Sequence, residues 1–457
     1  VVTDPAQLRP GDTVWSLPKG KYEANAIHRF FMGDGRRELW SIPFPAVVLD
    51  LSEFAGGLRD PQRGGGLQTP SIRFNGNDGL EYTFRSMDKD AARGLESIEL
   101  RESVAGDIVQ DLISQILPHG ALVADRLMDA AGILHASPTL VRMPPDARLG
   151  GLQEEFAGSL GWIEVRPEER ADGEPGFAGS RDVKGSEALM EALEESPRNR
   201  VNSRAFLKAR LFDALVGDWD RHPDQWRWAG FEDEEGWVFE PVPRDRDWAF
   251  AHMDGFKMWV SRVPWPHRIG FDLEYPSAFR LTWSGRVLDR LILSELDWED
   301  WEPVARELVA ALPDSVLQEA VDRLPRSHYD LVGAELLGSL KNRRDTLLPF
   351  AREFYLFLAG WVDVRATDEE EVVEVERLPE DRLRVTVYRG DDGTKEEDPF
   401  FERVFSGDET NEVRIFLHGG DDVARVQGFE RSGVLVTLVG GGGDDTLAVA
   451  PGVSGKR

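Results

Sequence analysis

Gly217-Asp-Trp-Asp-Arg-His-Pro-Asp-Gln225 and, after one intervening stretch, Pro243-Arg-Asp-Arg-Asp-Trp-Ala-Phe250 decide how this chain is read. Asp218, Asp220 and Asp224 share the first loop, and Asp245 and Asp247 the second. Between them, the aromatic-rich runs Gln225–Phe231 and Trp237–Val242 flank an acidic turn that ends in Gly236. Two such runs around a polar, Gly-terminated turn predict a β-hairpin. A hairpin would return both acidic loops to the same end. Carboxylates gathered in this way suit hard cations with oxygen ligands, above all Mg²⁺ holding the phosphates of a nucleotide.

Moving outward, Asn202 or Ser203 is placed to cap a helix with two adjoining apolar stripes, Phe206/Ala209/Phe212/Val216 and Leu207/Leu211/Leu215. Gly217 ends that helix and leaves the first acidic loop just beyond it. Further upstream, residues 46–52 read as a strand. A glycine-dense loop follows, with Gly64, Gly65, Gly66 and Gln68, and then strands at Ser71–Phe74 and Glu81–Arg85. This is a β-meander with a glycine loop near its start, a layout that lets backbone N–H groups approach phosphates. Helical spacing over residues 106–131 is split by Pro118, and residues 138–143 form a strand. Residues 166–185 read as a surface loop or insertion, and residues 298–362 as helices punctuated by Pro313, Pro325 and Pro349.

After Val364 the pattern turns to strands, which predicts a separate β domain or solenoid. Within it, Gly440-Gly-Gly-Gly-Asp-Asp-Thr-Leu447 fits the GGxGxDxU repeat that binds Ca²⁺. Gly419-Gly-Asp-Asp422 is an incomplete echo of it. One repeat does not build a stacked ion site, so a plain glycine turn is the simpler reading.

A chain of 457 residues, 41% of them hydrophobic, is long enough for two or three cores. A formal net charge of −29 argues against nucleic acid as a partner, because its phosphates would be repelled. With no cysteine there is no disulfide, zinc–thiolate site or thiol nucleophile. No apolar run reaches membrane-spanning length. The chain opens on Val1 with no signal-peptide pattern, as expected of a processed chain or a segment of a longer one. Walker A, Rossmann, HExxH and GxSxG patterns are all missing. Lysine is scarce, and Lys89 is the only one between Tyr22 and Val183.

Taken in order, the glycine loop, meander, helix and acidic loops resemble an atypical kinase. The similarity is to the secretory-pathway casein kinases, HipA-type kinases and phosphatidylinositol kinases. Those families carry an Asp-Arg-His loop with Asn or Glu five residues after its Asp, and a second Asp opening an Asp-x-x-x-Ala-Phe-like segment. Asp220-Arg-His222 with Gln225, and Asp245 to Phe250, resemble these motifs. Gly66-Leu-Gln-Thr69, Phe84-Arg-Ser-Met87 and Ala124-Asp-Arg-Leu127 extend the resemblance, which covers about residues 46–350. Arg37–Trp40, Gly64–Thr69, Phe84–Asp90 and Gly217–His222 are also similar to a bacterial envelope family. In that family the module follows a calcineurin-like phosphoesterase domain and precedes an outer-membrane barrel. That implies a periplasmic or cell-surface location, with a cytoplasmic one as the alternative.

The resemblance implies an α+β chain: a two-lobed kinase-like domain with a β-rich N-lobe and a mainly helical C-lobe, then a small all-β domain. The expected boundaries are an extension at 1–45, the N-lobe at 46–145, the C-lobe at 146–363 and the β domain at 364–457. It implies ATP with Mg²⁺ or Mn²⁺ as cofactors, a nucleotide partner and an unidentified phosphate acceptor. Asp220 would take or orient the acceptor proton. Asp245 with Gln225, supplemented by Asp247, would hold metal, and Gly64, Gly65, Gly66 and Gln68 would cover the phosphates. Arg85 stands where the family has its phosphate-pairing lysine, and Lys89 is the only nearby substitute. No acidic residue matches the helix glutamate; Asp111 and Gln115 are candidates by reach. His222 is expected to be structural, and Asp218 and Asp224 solvated or capping. Trp219, Trp226, Trp228 and Trp248 are expected in the core. The alternatives are a catalytically degenerate pseudokinase serving as a scaffold and a metal-dependent phosphohydrolase.

Overall fold

A computed structural model describes residues 1, 4–18, 22–65, 69–90, 104–170, 172–391, 393–428 and 433–453. Gly66 and Gln68 lie outside the described residues. The meander forms one end of a sheet that has seven strands among the described residues. They are β1 (Thr13–Ser16), β2 (Phe44–Val48), β3 (Leu58–Arg63), β4 (Ser71–Gly76), β5 (Glu81–Ser86), β6 (Thr139–Arg142) and β7 (Leu160–Val165), in the order β1-β2-β6-β7-β5-β4-β3. Ile72, Phe74 and Phe84 of β4 and β5 pack with Ile163 of β7, Met143 and Phe156 in one core. The sheet draws on residues 13–165 and so runs across the boundaries expected at 45/46 and 145/146. Its closing strand, β7, pairs with both β5 and β6, which leaves Trp162 opposite Arg85 and Glu164 opposite Thr83. Helices between its strands include α1 (Ala26–Met32), α2 (Val104–Asp111) and α3 (Gly120–Ala131), with Pro118 between the last two.

The second lobe is mainly helical. Its elements include α4 (Ser186–Glu195), α5 (Ser203–Val216), α6 (Phe256–Ser261), α7 (Arg286–Ile292), α8 (Trp298–Ala311), α9 (Asp314–Val321), α10 (Arg326–Asp345) and α11 (Leu347–Ala359). The two stripes of α5 are both buried, because α8, α10 and α11 all pack against it. Asn202 caps the helix by accepting from the Ala205 N–H at 3.0 Å. Gly217 closes it at φ 69°, a left-handed value that glycine adopts without a Cβ penalty.

The predicted hairpin is β10 (Trp226–Glu232) and β11 (Trp237–Pro243), with Trp226 opposite Pro243. It is flanked by β8 (Asp182–Lys184) and β9 (Asn199–Val201) in the order β8-β10-β11-β9. The end of the segment read as a surface loop, 166–185, is therefore a strand. It is short and polar, and only the free edge of β10 makes it one.

The last domain is a stack. Strand β12 (Trp361–Arg365), β17 (Glu412–His418) and β19 (Leu435–Gly441) run parallel in one sheet. Strands β13 (Glu371–Leu378), β18 (Val423–Gln427) and β20 (Thr446–Val449) run parallel in the other, whose edge is continued by β14 (Arg382–Asp391), β15 (Thr394–Lys395) and β16 (Phe401–Ser406). Each rung turns from the first sheet to the second through residues 366–370, 419–422 or 442–445. Strand β12 belongs here by its pairing, so the domain starts within the stretch read as the end of the helical lobe. The incomplete repeat Gly419–Asp422 lies directly beside the complete one: the Asp444 N–H donates to Asp421 Oδ1 at 2.8 Å, and the Gly442 N–H to the His418 carbonyl at 2.6 Å.

Candidate active site

The two acidic loops meet because a buried ionic scaffold ties them together. Arg221, fully buried, donates from Nη1 to the carbonyls of Arg244 (2.6 Å) and Asp245 (3.2 Å) and from Nη2 to that of Gln225 (3.1 Å). One guanidinium thus holds the backbone of both loops, while its face lies over Trp226 at 5.0 Å. Beneath it, Asp213 on α5 pairs with Arg246 and, at 2.6 Å, with Arg210, which also grips Asp289 on α7 at 2.6 and 3.0 Å. Asp218 completes the network at 3.2 Å from Arg246 and 3.4 Å from Arg221. Asp218 was expected to be solvated or capping, but it is buried, where it shares with Asp213 the charges of Arg221 and Arg246. Asp224 is exposed, as expected.

Above this scaffold a cleft of about 710 Å³ opens between the strand lobe and the helical lobe. Arg85, Lys89, Asp220, Gln225, Asp245 and Asp247 all line it, together with Gly64 and Gly65. The sequence-predicted residues that the structure describes therefore share one cavity. Asp245 sits at φ 51°, in the left-handed region that aspartate tolerates better than most residues. Residues held this way concentrate at functional sites. Burial alone would push its carboxyl up, but Lys89, Arg85, Arg221 and Arg244 outweigh that and hold it below the usual carboxylate range. Asp220 moves the other way, pushed up to about 6 by burial, with Asp218 and Asp245 adding repulsion and His222 opposing. The two carboxyls are thus driven apart, one firmly ionised and one poised near neutrality, a division suited to one metal ligand and one proton acceptor.

The basic half is assembled differently from the expectation. Arg85 Nη2 lies 3.3 Å from Glu164 Oε1, so the carboxylate partner of Arg85 comes from β7. The candidates offered by reach are engaged elsewhere. Asp111 takes Arg37 at 2.5 and 2.7 Å and His28 at 3.0 Å, and Gln115 donates to the carbonyls of Met32 and Asp254. Glu164 carries no motif, and only its register opposite Thr83, two residues from Arg85 on β5, marks it. Lys89 reaches inward and pairs with Asp247. Arg244, adjacent to Asp245 in sequence, also lines the cleft, and its guanidinium is lowered to about 10 by burial and by repulsion from Arg85 and Arg227. That crowding of cations suits an anionic ligand.

His222 is half-exposed in the cleft, 3.3 Å from the Gln225 side-chain nitrogen, and so does not pack beneath the loop. Trp226 and Trp228 are fully buried and Trp219 nearly so, while Trp248 lines the cleft. Outside the cleft, Asp125, Asp129 and His135 have ligand atoms close enough to share a metal, but Arg323 already pairs with Asp125 at 2.5 Å.

No family model matches the chain, and no curated protein matches it in sequence. Solved structures do. Its structural neighbours include kinases. The proinflammatory kinase CtkA of Helicobacter pylori is 10% identical with a TM-score of 0.36, covering 66% of this chain and 95% of its own. A Golgi casein kinase with Mn/ADP bound is 12% identical with a TM-score of 0.34, covering 70% and 79%. The HipA, HipB and operator DNA complex of a Shewanella oneidensis toxin–antitoxin system is 14% identical with a TM-score of 0.31, covering 65% and 67%. These likenesses are loose, and residue roles rest on the geometry of the cleft itself.

Proposed function

We propose that the cleft binds a nucleoside triphosphate, ATP in the first instance, and passes its terminal phosphoryl group to an acceptor hydroxyl. One observation carries this: a carboxylate held low, Asp245, and one raised to about 6, Asp220, face Arg85, Lys89 and Arg244 across a single cavity. The oxygen donors fit a hard divalent cation, with Asp245 and the Gln225 carbonyl holding Mg²⁺ or Mn²⁺ and Asp247 available once Lys89 turns to phosphate. When bound, the metal neutralises phosphate charge. The protein's own groups do the rest. Arg85, held by Glu164, and Lys89 pair with phosphate oxygens, and Gly65, with open space beside it, leaves room for phosphate to approach the backbone. Asp220 accepts the acceptor's proton as its oxygen bonds to phosphorus and the bridging oxygen leaves on the nucleoside diphosphate. Positioning and charge neutralisation are the means of catalysis in such transfers.

The test is purified protein with ATP and Mg²⁺ or Mn²⁺, read as a rise in melting temperature and as transfer of labelled γ-phosphate to generic acceptors or to itself. No shift with any nucleotide overturns the reading. A second reading has a specific observation behind it: Lys89 is already paired with Asp247, so a phosphate-binding cation and a metal-binding carboxylate occupy each other, as in a cleft that binds nucleotide without turning it over. Binding without transfer selects that pseudokinase role.

A further inference from the structure

Two short helices far apart in sequence build an apolar surface outside the cleft. Helix α1 exposes Ile27, Phe30 and Phe31, and α6 with the loop after it exposes Phe256, Trp259 and Val263. Phe256 is the junction, stacked 6.4 Å from Phe30, edge-on at 6.1 Å to Phe31 and 5.9 Å from Trp259. The joint beneath is rigid. Asp254 accepts from the N–H groups of Asp34 and Gly35, both at 2.9 Å. Gly33 and Gly255, at φ 95° and 89°, cross so closely that a Cβ on either would strike the other segment's backbone. Gln115 ties this joint to the segment whose Ile113 and Ile116 line the cleft.

The side chains stand out from the surface. Val263 is 86% exposed, Ile27 73%, Trp259 68% and Phe30 65%. None of these side chains lines the cleft, and rings left this exposed suit entry into a soft apolar phase. The charge is local as well. Residues 24–33 and 255–271 hold Arg29, Lys257, Arg262 and Arg268 and no Asp or Glu, in a chain with 83 acidic residues. Arg29 pairs with Asp34 at 2.7 Å. Arg262 donates to the carbonyls of Met253 and Arg268, and Arg268 lies over the Trp265 ring at 4.4 Å. Aromatic rings beside basic groups are the composition that settles at a bilayer interface.

We propose that this face docks the protein onto a membrane surface bearing anionic phospholipid, with Phe30, Phe256, Trp259 and Val263 entering the interface and Arg262 and Arg268 facing head-group phosphate. The rest of the molecule, strongly acidic, is repelled by such a surface, so docking is confined to one orientation. This does not depend on the cleft's chemistry.

The experiment is co-sedimentation of the full chain with phosphatidylglycerol-containing vesicles and with phosphatidylcholine vesicles. Binding is expected to the first, several-fold weaker to the second, and weakened by salt. Trp259→Ser with Val263→Ser is expected to reduce partitioning at least tenfold at an unchanged melting temperature, and Arg268→Ser to erase the preference for phosphatidylglycerol. Absence of binding by the wild type, or binding indifferent to these substitutions, overturns the proposal. So does a concentration-dependent dimer, or capture of an acidic peptide, that the Trp259/Val263 variant abolishes without any lipid effect.

Discussion

Two regions of this molecule gather carboxylates around glycine, and they use them in opposite ways. In the C-terminal stack the turn carboxylates are spent on backbone. Asp445 accepts from the N–H groups of Gly441 at 3.0 Å and Asp422 at 3.3 Å, Asp421 from Asp444, and Asp422 from Glu371 at 2.8 Å. In the cleft, Asp220 and Asp245 have no such amides among the hydrogen bonds described; what faces them is Arg85, Lys89, Arg244 and open space. The first set holds a fold together, while the second is held by a fold, through Arg221 and the network under it. A run of acidic residues in sequence is the same signal in both cases. What distinguishes them is whether the neighbouring backbone has amides left to give.

The largest effects should fall on the cleft. Asp220→Ala is expected to lower turnover by about 10²–10⁴-fold, the range for loss of a positioned proton acceptor, while leaving the nucleotide-induced thermal shift in place. Asp245→Ala is expected to remove that shift altogether. If both variants bound and turned over like the wild type, the cleft carboxylates would be as structural as those of the stack.

Next comes the scaffold. Asp213 neutralises Arg210, Arg221 and Arg246, all buried. Asp213→Ala leaves three buried guanidiniums with only Asp289 and Asp218 to balance them and is expected to cost about 3–5 kcal/mol, read by denaturant unfolding. A loss below about 1 kcal/mol would mean that the loops are joined by packing and that Arg221 is dispensable.

A smaller effect is expected in the stack. Asp445→Ala removes two exposed acceptors and should cost about 0.5–1.5 kcal/mol. Addition of Ca²⁺ is the sharper measurement. If it raises the melting temperature of the wild type and not of Asp445→Ala, the turn carboxylates have capacity beyond their amides and the contrast with the cleft narrows.

Legibility in the sequence follows the same division. The hairpin, the caps of α5 and the two acidic loops were readable because each depends on neighbours in sequence: aromatic-rich runs around a Gly-terminated turn, an Asn before a helix, Gly217 after it. Convergence of Asp220 with Asp245 followed from the hairpin. What was not readable depends on sheet register and on distant charge. Glu164 reaches Arg85 because β7 lies beside β5, with about 75 residues between them in the chain. Asp218 looks like its exposed neighbour Asp224 until Arg246 closes over it. In the stack, the partner of the glycine repeat was its own incomplete copy, one rung away, which no single-repeat pattern reveals.

The last effect is the most diagnostic, since it comes from pH alone. Asp220 is raised to about 6 in the folded protein, above an unfolded value near 4, so the folded state binds the proton more tightly. Its charged form therefore costs stability in full above pH 6. That cost shrinks as the pH falls from 6 towards 4 and is gone below it. Asp220→Asn should melt higher than the wild type at pH 7.5, with the two converging near pH 4. Asp245, held low by Lys89 and Arg85, has the opposite sign, and Asp245→Asn should melt lower at pH 7.5. Turnover, if Asp220 must be ionised to accept a proton, should rise through pH 6 and then level. Stability falling and turnover rising over the same interval would tie both to one carboxyl, because a group placed only to hold the fold has no reason to trade one for the other.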